Sequence, residues 1–170
     1  MQDGDLLLTI AEVAVAFAGF ASLVSILGRR SSRDSPVVQA ARLRGLIISS
    51  LLVVAFAFFP FVPHRLGASD PAVWRISSGV FATAGLAMVA VTFGNLERIR
   101  AAGRPPPGFA WRGAVIGSVL FTAWALLVSN AVGAFPASAA AIYILSLLLF
   151  LFLAGFMFAN LLLSFLEPSE

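Results

Sequence analysis

Residues 137–166 read ASAAAIYILSLLLFLFLAGFMFANLLLSFL, and no charged side chain interrupts them. A helix needs about 20 consecutive apolar residues to cross a hydrocarbon core of about 30 Å. The stretch therefore predicts a membrane-crossing helix, which the charged residue and proline at Glu167 and Pro168 bring to an end.

Four further apolar runs lie between clusters of charge or proline, at 6–27, 46–62, 73–96 and 113–132. Strands of a membrane barrel alternate apolar and polar residues, whereas these runs are continuously apolar and rich in Ala, Leu and Phe. We therefore expect an all-α, polytopic transmembrane helical bundle that forms one domain over 1–170. Its five helices are predicted at approximately 5–28, 36–63, 71–97, 110–133 and 136–166, and Gly133–Pro136 separates the last two.

The composition excludes several classes of protein. Hydrophobic residues make up 60% of the 170 positions and charged residues 11%, against roughly 45–50% and about 25% in soluble domains. A soluble chain of this length has too much surface to hide so many apolar side chains. We therefore expect a lipid bilayer around it, and neither a cytosolic enzyme nor a nucleic-acid-binding module. Because the sequence has no cysteine, no enzyme motif and no metal-ligand set, we predict no disulfide, catalysis, cofactor or metal.

Arginine is distributed unevenly among the segments that join the predicted helices. Only Arg65 and Arg75 lie between helices two and three. The other arginines lie between helices one and two or between three and four: Arg29, Arg30, Arg33, Arg42, Arg44, Arg98, Arg100, Arg104 and Arg112. Positive residues remain on the cytoplasmic side, so the pattern predicts an external N-terminus, an internal C-terminus and a bacterial inner membrane.

The first predicted helix contains an acidic residue inside an apolar run. Glu12 lies about two turns from Asp5, well inside the crossing. An intramembrane acid costs about 2.5–3.5 kcal/mol at a helix centre, and such residues usually mark an ion or proton path. We therefore predict an oligomeric channel or simple ion carrier whose copies surround a shared axis. The residues expected to line its cation or proton pathway are Glu12, Thr9, Ala16, Gly19 and Ser22, with Arg29 and Arg30 at the inner mouth.

Two other interpretations of Glu12 remain open. In the first, Glu12 makes a structural hydrogen bond to a hydroxyl or amide of another helix, with Ser77, Ser78, Thr83, Thr92 and Asn160 as candidates. The chain would then be a non-catalytic accessory or scaffolding subunit that docks on a larger membrane complex through small-residue faces. In the second, Glu12 and the single histidine, His64, form a pH-sensing element.

Small residues recur at helical spacing, where they let two backbones approach closely. In the first helix one broad sector holds Glu12 with Ala11, Ala14, Ala16, Ala18, Gly19, Ser22 and Ser25. Two further sets are Ser78, Ala82 and Gly85, and the GxxxG motif of Gly113 and Gly117. We expect these last two sets to pack against other helices. Asn95, Asn130 and Asn160 are most simply interhelical hydrogen-bonding groups, and Trp74 and Trp111 stand at helix starts, where interfacial aromatics are common.

The stretch TIAEVAVAFAGFAS, residues 9–22, resembles the first helix of a set of uncharacterised small bacterial integral-membrane proteins. Members of that set likewise begin with an apolar helix that reads AE, then AGF and a small residue, and runs into paired arginines. The resemblance covers about the first thirty positions. It implies a membrane helix at this place, and no function follows from it.

Overall fold

The chain forms a helical bundle in a computed structural model that describes residues 3–27, 36–101 and 109–166. Its helices are α1 (Gly4–Leu27), α2 (Pro36–Phe58), α3 (Phe61–Arg65), α4 (Asp70–Ala101), α5 (Phe109–Ala131) and α6 (Ala139–Leu166), with a 3₁₀ turn at Pro136–Ser138. The described residues contain no strand, so they confirm the prediction of an all-helical fold with five long helices.

Within the described residues, four segments are long and apolar enough to cross a membrane: Gly4–Leu23, Leu43–Arg65, Gly113–Ala131 and Pro136–Asn160. Many large apolar side chains on these segments are exposed, among them Phe20, Leu51, Phe121 and Phe152. Exposed apolar surface of this extent suits a lipid surrounding and not water. The length and composition of these segments are those of an integral membrane protein.

Helix α6 is the centre of the bundle. It packs against α1, α2, α4 and α5, while neighbouring pairs α1–α2, α2–α4 and α4–α5 pack around it. Its buried side chains include Tyr143, Leu147, Phe150 and Leu153. The uncharged run that opened the sequence analysis therefore becomes the helix that contacts all four other long helices.

Ring contacts show how the helices run. Trp74 meets Tyr143 with ring centroids 5.6 Å apart, and Phe81 meets Phe150 at 4.9 Å. The two pairs keep the same sequence offset, so α4 and α6 run in the same direction. At the other end of the bundle, the ring of Trp111 in early α5 lies 6.0 Å from that of Phe156 in late α6, so α5 runs the opposite way.

These contacts define two ends of the bundle. The hairpin end holds the start of α1, the α2–α3 junction, the start of α4 and the α5–α6 connection. At this end a Cβ placed on Gly4 would lie 3.7 Å from the ring of Phe61. The arginine end holds the helix termini that flank the two arginine-rich segments of the sequence.

The second predicted helix is divided, which corrects the expectation of one unbroken helix over 36–63. Pro60 has no N–H, so the carbonyl of Phe56 cannot be bonded by the residue four positions later. The chain turns at Phe59–Pro60 and resumes as α3. The Tyr143 hydroxyl donates to the freed Phe56 carbonyl at 2.6 Å. A side chain of α6 thus replaces the hydrogen bond that the proline removes from α2.

The connection between α5 and α6 is closed by hydrogen bonds. The N–H of Ala134 donates to the Ser129 carbonyl and that of Gly133 to the Asn130 carbonyl, at 3.0 Å each. This pattern is a Schellman motif, and it needs a residue with positive φ, which Gly133 supplies at φ 77°. Arg75 of α4 donates to the Val132 carbonyl at 3.0 Å and places a positive charge at the negative end of α5. The predicted break at Gly133–Pro136 is confirmed, although α6 begins at Ala139 and not at 136.

The two tryptophans at helix starts have different surroundings. Trp111 is 54% exposed, whereas Trp74 is buried at 7% exposure. The expectation that both lie at the level of the membrane surface stays a prediction. Trp74 contacts Tyr143 because α4 and α6 pack in parallel here.

Candidate functional site

Helix α1 has two faces that differ in chemistry. Leu7, Ile10, Ala14 and Ala21 are buried and pack into the core of the bundle. The outer face of α1 is formed by exposed residues at the same depths: Thr9, Glu12, Val13, Val15, Ala16, Gly19, Phe20 and Ser22. The small-residue sector expected from the sequence is therefore split, with Ala11 and Ala14 inside and Glu12, Ala16, Gly19 and Ser22 outside.

Glu12 lies on the outer face of α1, inside the candidate span Gly4–Leu23. Among the residues that the structure describes, no hydrogen bond or ion pair reaches its carboxyl group. The proposed partners Ser77 and Ser78 are buried in α4, and no substantial contact joins α1 to α4 in the described ranges. A partner for Glu12 inside its own chain is not found there.

The other predicted pathway residues share the outer face with Glu12. The hydroxyl of Thr9 donates to the Asp5 carbonyl at 2.9 Å, and that of Ser22 donates to the Ala18 carbonyl at 3.0 Å. A Cβ placed on Gly19 would meet nothing within 4 Å. All of these groups point away from the bundle that carries them. Arg29 and Arg30 lie outside the described residues.

Two depressions lie side by side along α1. The end depression, of about 560 Å³, opens at the hairpin end and is lined by Gly4, Asp5, Leu8, Phe61, His64 and Arg65. The Glu12 depression, of about 330 Å³, is lined by Leu8, Ala11, Glu12, Val15 and Phe58. Leu8 belongs to both linings, so the two open depressions are neighbours between α1 and the α2–α3 segment, and together they are called the groove.

Two residues that line this groove, Asp5 and Arg65, were not predicted from the sequence to belong to it. Asp5 was interpreted only as the acidic start of the first helix, yet it lies seven residues before Glu12 and therefore on the same side of α1. The seven-residue spacing alone could have predicted that Asp5 and Glu12 face the same side of α1. Arg65, by contrast, reaches the groove only because the chain turns at Pro60, and no local pattern predicts this.

His64 lies in the end depression and close to a carboxylate. Its Nδ1 is 3.8 Å from the Asp70 Oδ1 atom, and the two side chains are 39% and 77% exposed. This distance suits an ion pair when the imidazole is protonated but is too long for a hydrogen bond. The structure thus brings His64 to the groove that contains Glu12, while the pH-sensing hypothesis stays a prediction.

The asparagines differ in what they join. Asn130 is fully buried, and its amide nitrogen donates to the Ser78 hydroxyl at 2.8 Å and to the Ala139 carbonyl at 2.9 Å. Asn130 therefore confirms the predicted interhelical role. Asn160 donates instead to the Phe156 carbonyl of its own helix at 2.7 Å, so that prediction was wrong for Asn160. Asn95 lies among residues whose side chains are not described.

The GxxxG motif of α5 does not pack against any other part of the chain that the structure describes. Gly113 and Gly117 are exposed, and a Cβ on either would meet nothing within 4 Å. The expectation of packing is therefore unmet within this chain. In contrast, Ser78, Ala82 and Gly85 are buried in α4 as expected. Among the described residues, small side chains are thus exposed on the second half of α1 and on the first half of α5.

Comparisons of the chain with protein-family models, with curated proteins and with solved structures found no match.

Proposed function

We propose that the protein is an oligomeric channel or simple ion carrier of a bacterial inner membrane, with a cation or proton pathway lined by α1. Glu12 is its outer site, and Thr9, Ala16, Gly19 and Ser22 continue the pathway. The five long helices cross the membrane, with the N-terminus outside and the C-terminus inside. Catalysis, a cofactor and a nucleic-acid partner have no part in this function.

One observation carries the proposal. Glu12 is an acid within a candidate membrane span, exposed on the surface of its own chain and without a partner among the described residues. A carboxyl group in lipid alone is costly, so such groups usually face a water-filled path or a second protein surface. A shared aqueous pathway accounts for the position of Glu12 without any further interaction.

The direction of the outer face supports an assembly of several copies. Residues that point away from their own bundle can line a path only if other copies complete it. Closed rotational symmetry is the usual form of such assemblies. A ring of Glu12 carboxylates around the axis would attract cations.

The proposed orientation rests on the arginines. The helix termini that flank the two arginine-rich segments meet at the arginine end, and positive residues favour the cytoplasmic side. Glu12 and the groove lie toward the opposite, hairpin end. Under this orientation Glu12 faces the outer half of the membrane.

The direct test is ion flux into proteoliposomes that contain the purified protein. Glu12→Gln removes the charge at nearly constant shape, so we expect cation or proton flux to fall by on the order of tenfold. Glu12→Asp keeps the carboxylate and should retain most of the flux. The matched control is Ser118→Ala, which removes an exposed hydroxyl from α5 that bonds only within its own helix, at 2.9 Å. Absence of flux in the wild type, or equal flux in Glu12→Gln, would refute the proposal.

Cross-linking tests the shared axis separately from conduction. The sequence has no cysteine, so one introduced thiol per chain can report contacts between copies. We expect Ala16→Cys to form disulfide-linked dimers under mild oxidation. Phe121→Cys, on the 69% exposed surface of α5, should remain monomeric. The reverse pattern would place the contact between copies on α5 and contradict an axis lined by α1.

The exposed glycines of α5 favour a second candidate function, that of a non-conducting accessory or scaffolding subunit. Gly113 and Gly117 leave room for another backbone to approach closely. If this candidate is right, Gly117→Leu should release the protein from a larger native complex, measured by native gel electrophoresis of membranes. Ala125→Leu, at another exposed position of α5, is the control. A wild-type protein that migrates only as a homo-oligomer would contradict this candidate.

A further inference from the structure

The groove beside α1 extends from the hairpin end of the bundle to the level of Glu12 and Val15. The lining of its first part includes Asp5, His64 and Arg65, and its second part has Glu12 near its inner end, with Val15 about one turn beyond. Glu12 lies eight residues after Gly4, which corresponds to about 12 Å along the helix axis. The groove therefore leads from the end of two candidate spans to Glu12, which lies two turns farther along α1 than Asp5.

The lining of the groove changes along its length. At the hairpin end it includes charged groups of both signs, Asp5 and Arg65, which remain hydrated at a membrane surface. Farther in, the walls are formed by Leu8, Val15 and Phe58, with Glu12 as the polar group. A wholly apolar groove would be filled by a lipid chain, but an acid at its inner end is stabilised by water far more than by hydrocarbon.

We propose that this groove is a water-filled route by which small cations reach Glu12 from the hairpin end. The inference rests on the proposed function and adds the route of access to it. Asp5 and Glu12 lie on the same side of α1, so a cation that enters meets carboxylates at the start and at the end of the groove. The α2–α3 segment forms the opposite wall, and the turn at Pro60 brings Phe61, His64 and Arg65 to it.

The absence of native cysteine permits a direct test with thiol labelling. Two valines of α1 give a matched pair, because both are exposed and lie half a turn apart. Val15 lines the Glu12 depression, whereas Val13 is not part of either lining. Val15 lies farther from the hairpin end than Val13. If distance from that end alone set the labelling rate, a thiol at position 13 would therefore react faster than one at position 15.

The experiment exposes Val15→Cys and Val13→Cys proteins in proteoliposomes to a positively charged, membrane-impermeant methanethiosulfonate. Such reagents modify the thiolate, which forms only where water is present. We expect Val15→Cys to react on the order of tenfold faster than Val13→Cys. Leu8→Cys provides a second groove position, and it is matched to Val13 in exposure, at 40% each. Leu8→Cys should also react faster than Val13→Cys.

Two results would overturn the route. Equal rates at Leu8, Val13 and Val15 would mean that the groove offers no special access. No reaction at either Leu8→Cys or Val15→Cys would mean that lipid or protein fills it.

The labelling result and the flux result fail independently of each other. If flux depends on Glu12 but Val15→Cys is unreactive, ions reach Glu12 by another path and only the route is wrong. If Val15→Cys reacts but the wild-type protein carries no ion, the groove is hydrated and the proposed function is wrong.

Discussion

Polar side chains at the α4–α5–α6 contact of the hairpin end and on the outer face of α1 differ in their hydrogen-bond partners. In the first region, Arg75, Asn130 and Tyr143 each reach a partner on another helix or on the connecting segment. On the outer face of α1, the carboxyl of Glu12 reaches none among the described residues, and the hydroxyls of Thr9 and Ser22 bond only to their own helix.

This difference separates polar residues that hold the fold from one that does not. A polar group in a low-dielectric interior is stabilised by a hydrogen bond and is costly without one. Asn130 and Tyr143 each donate hydrogen bonds that join helices, although the Asn130 Oδ1 atom is buried without a partner among the described residues. Glu12 contributes no such contact, so a role outside the isolated chain is the simpler explanation for it. The four predictions below test this contrast through the free energy of unfolding, measured in mixed detergent micelles.

The largest effect is expected for Tyr143→Ala. This change removes a fully buried ring that contacts Trp74 and Phe81, and it leaves the Phe56 carbonyl without its donor. We expect a loss of about 3–5 kcal/mol, as for other large-to-small changes in cores. Phe121→Ala, at a 69% exposed position, is the control and should cost well under about 1 kcal/mol. Similar losses of unfolding free energy in the two variants would mean that Tyr143 is not packed in a core at the hairpin end.

Gly133→Ala should cost somewhat less. A side chain at φ 77° is strained by about 1–2 kcal/mol, and its Cβ would collide with the Arg75 guanidinium. Loss of the bond from Arg75 to the Val132 carbonyl adds about 1 kcal/mol, for a total of about 2–3 kcal/mol. Gly113→Ala has open space and helical backbone, so it should be neutral or slightly stabilising. Equal losses of unfolding free energy in Gly133→Ala and Gly113→Ala would contradict the role of Gly133 as the residue with positive φ in the Schellman motif.

Asn130→Ala should cost about 1–2 kcal/mol, the usual range for a hydrogen bond between membrane helices. It removes the donor to both the Ser78 hydroxyl and the Ala139 carbonyl. Asn160→Ala removes a bond within one helix only and should change the unfolding energy by less than about 0.5 kcal/mol. A larger effect at Asn160 than at Asn130 would show that Asn160 has a partner outside its own helix.

The smallest effect is expected for Glu12→Gln. Since no contact within the described part of the chain depends on this carboxylate, the unfolding energy of the monomer should change by less than about 0.5 kcal/mol. The same variant should lose most of the ion flux in proteoliposomes. A loss of stability comparable to that of Asn130→Ala would mean that Glu12 is a structural residue, and the contrast between the two regions would disappear.

Much of the helix pattern was predictable from local sequence, and the errors have a common cause. The breaks at Gly133–Pro136 and before Asp70 follow from glycine, proline and polar residues acting on their own backbone. The division at Pro60 was missed because the apolar run continues through it, and the tyrosine that bonds the freed Phe56 carbonyl is far away in the sequence. The burial of Trp74 could not be predicted locally either, since it depends on contact with Tyr143 of α6.

The sequence by itself determined the class of protein: long uncharged runs can be stable only as helices in lipid, because every backbone group must be bonded within its own segment. It also singled out Glu12, because an acid within such a run is conspicuous whatever surrounds it. Only the tertiary structure decided which way Glu12 points, which residues share its groove and which small residues are left exposed. Those properties depend on which helix pairs pack together, and that choice is made by the fit of side chains distant in sequence.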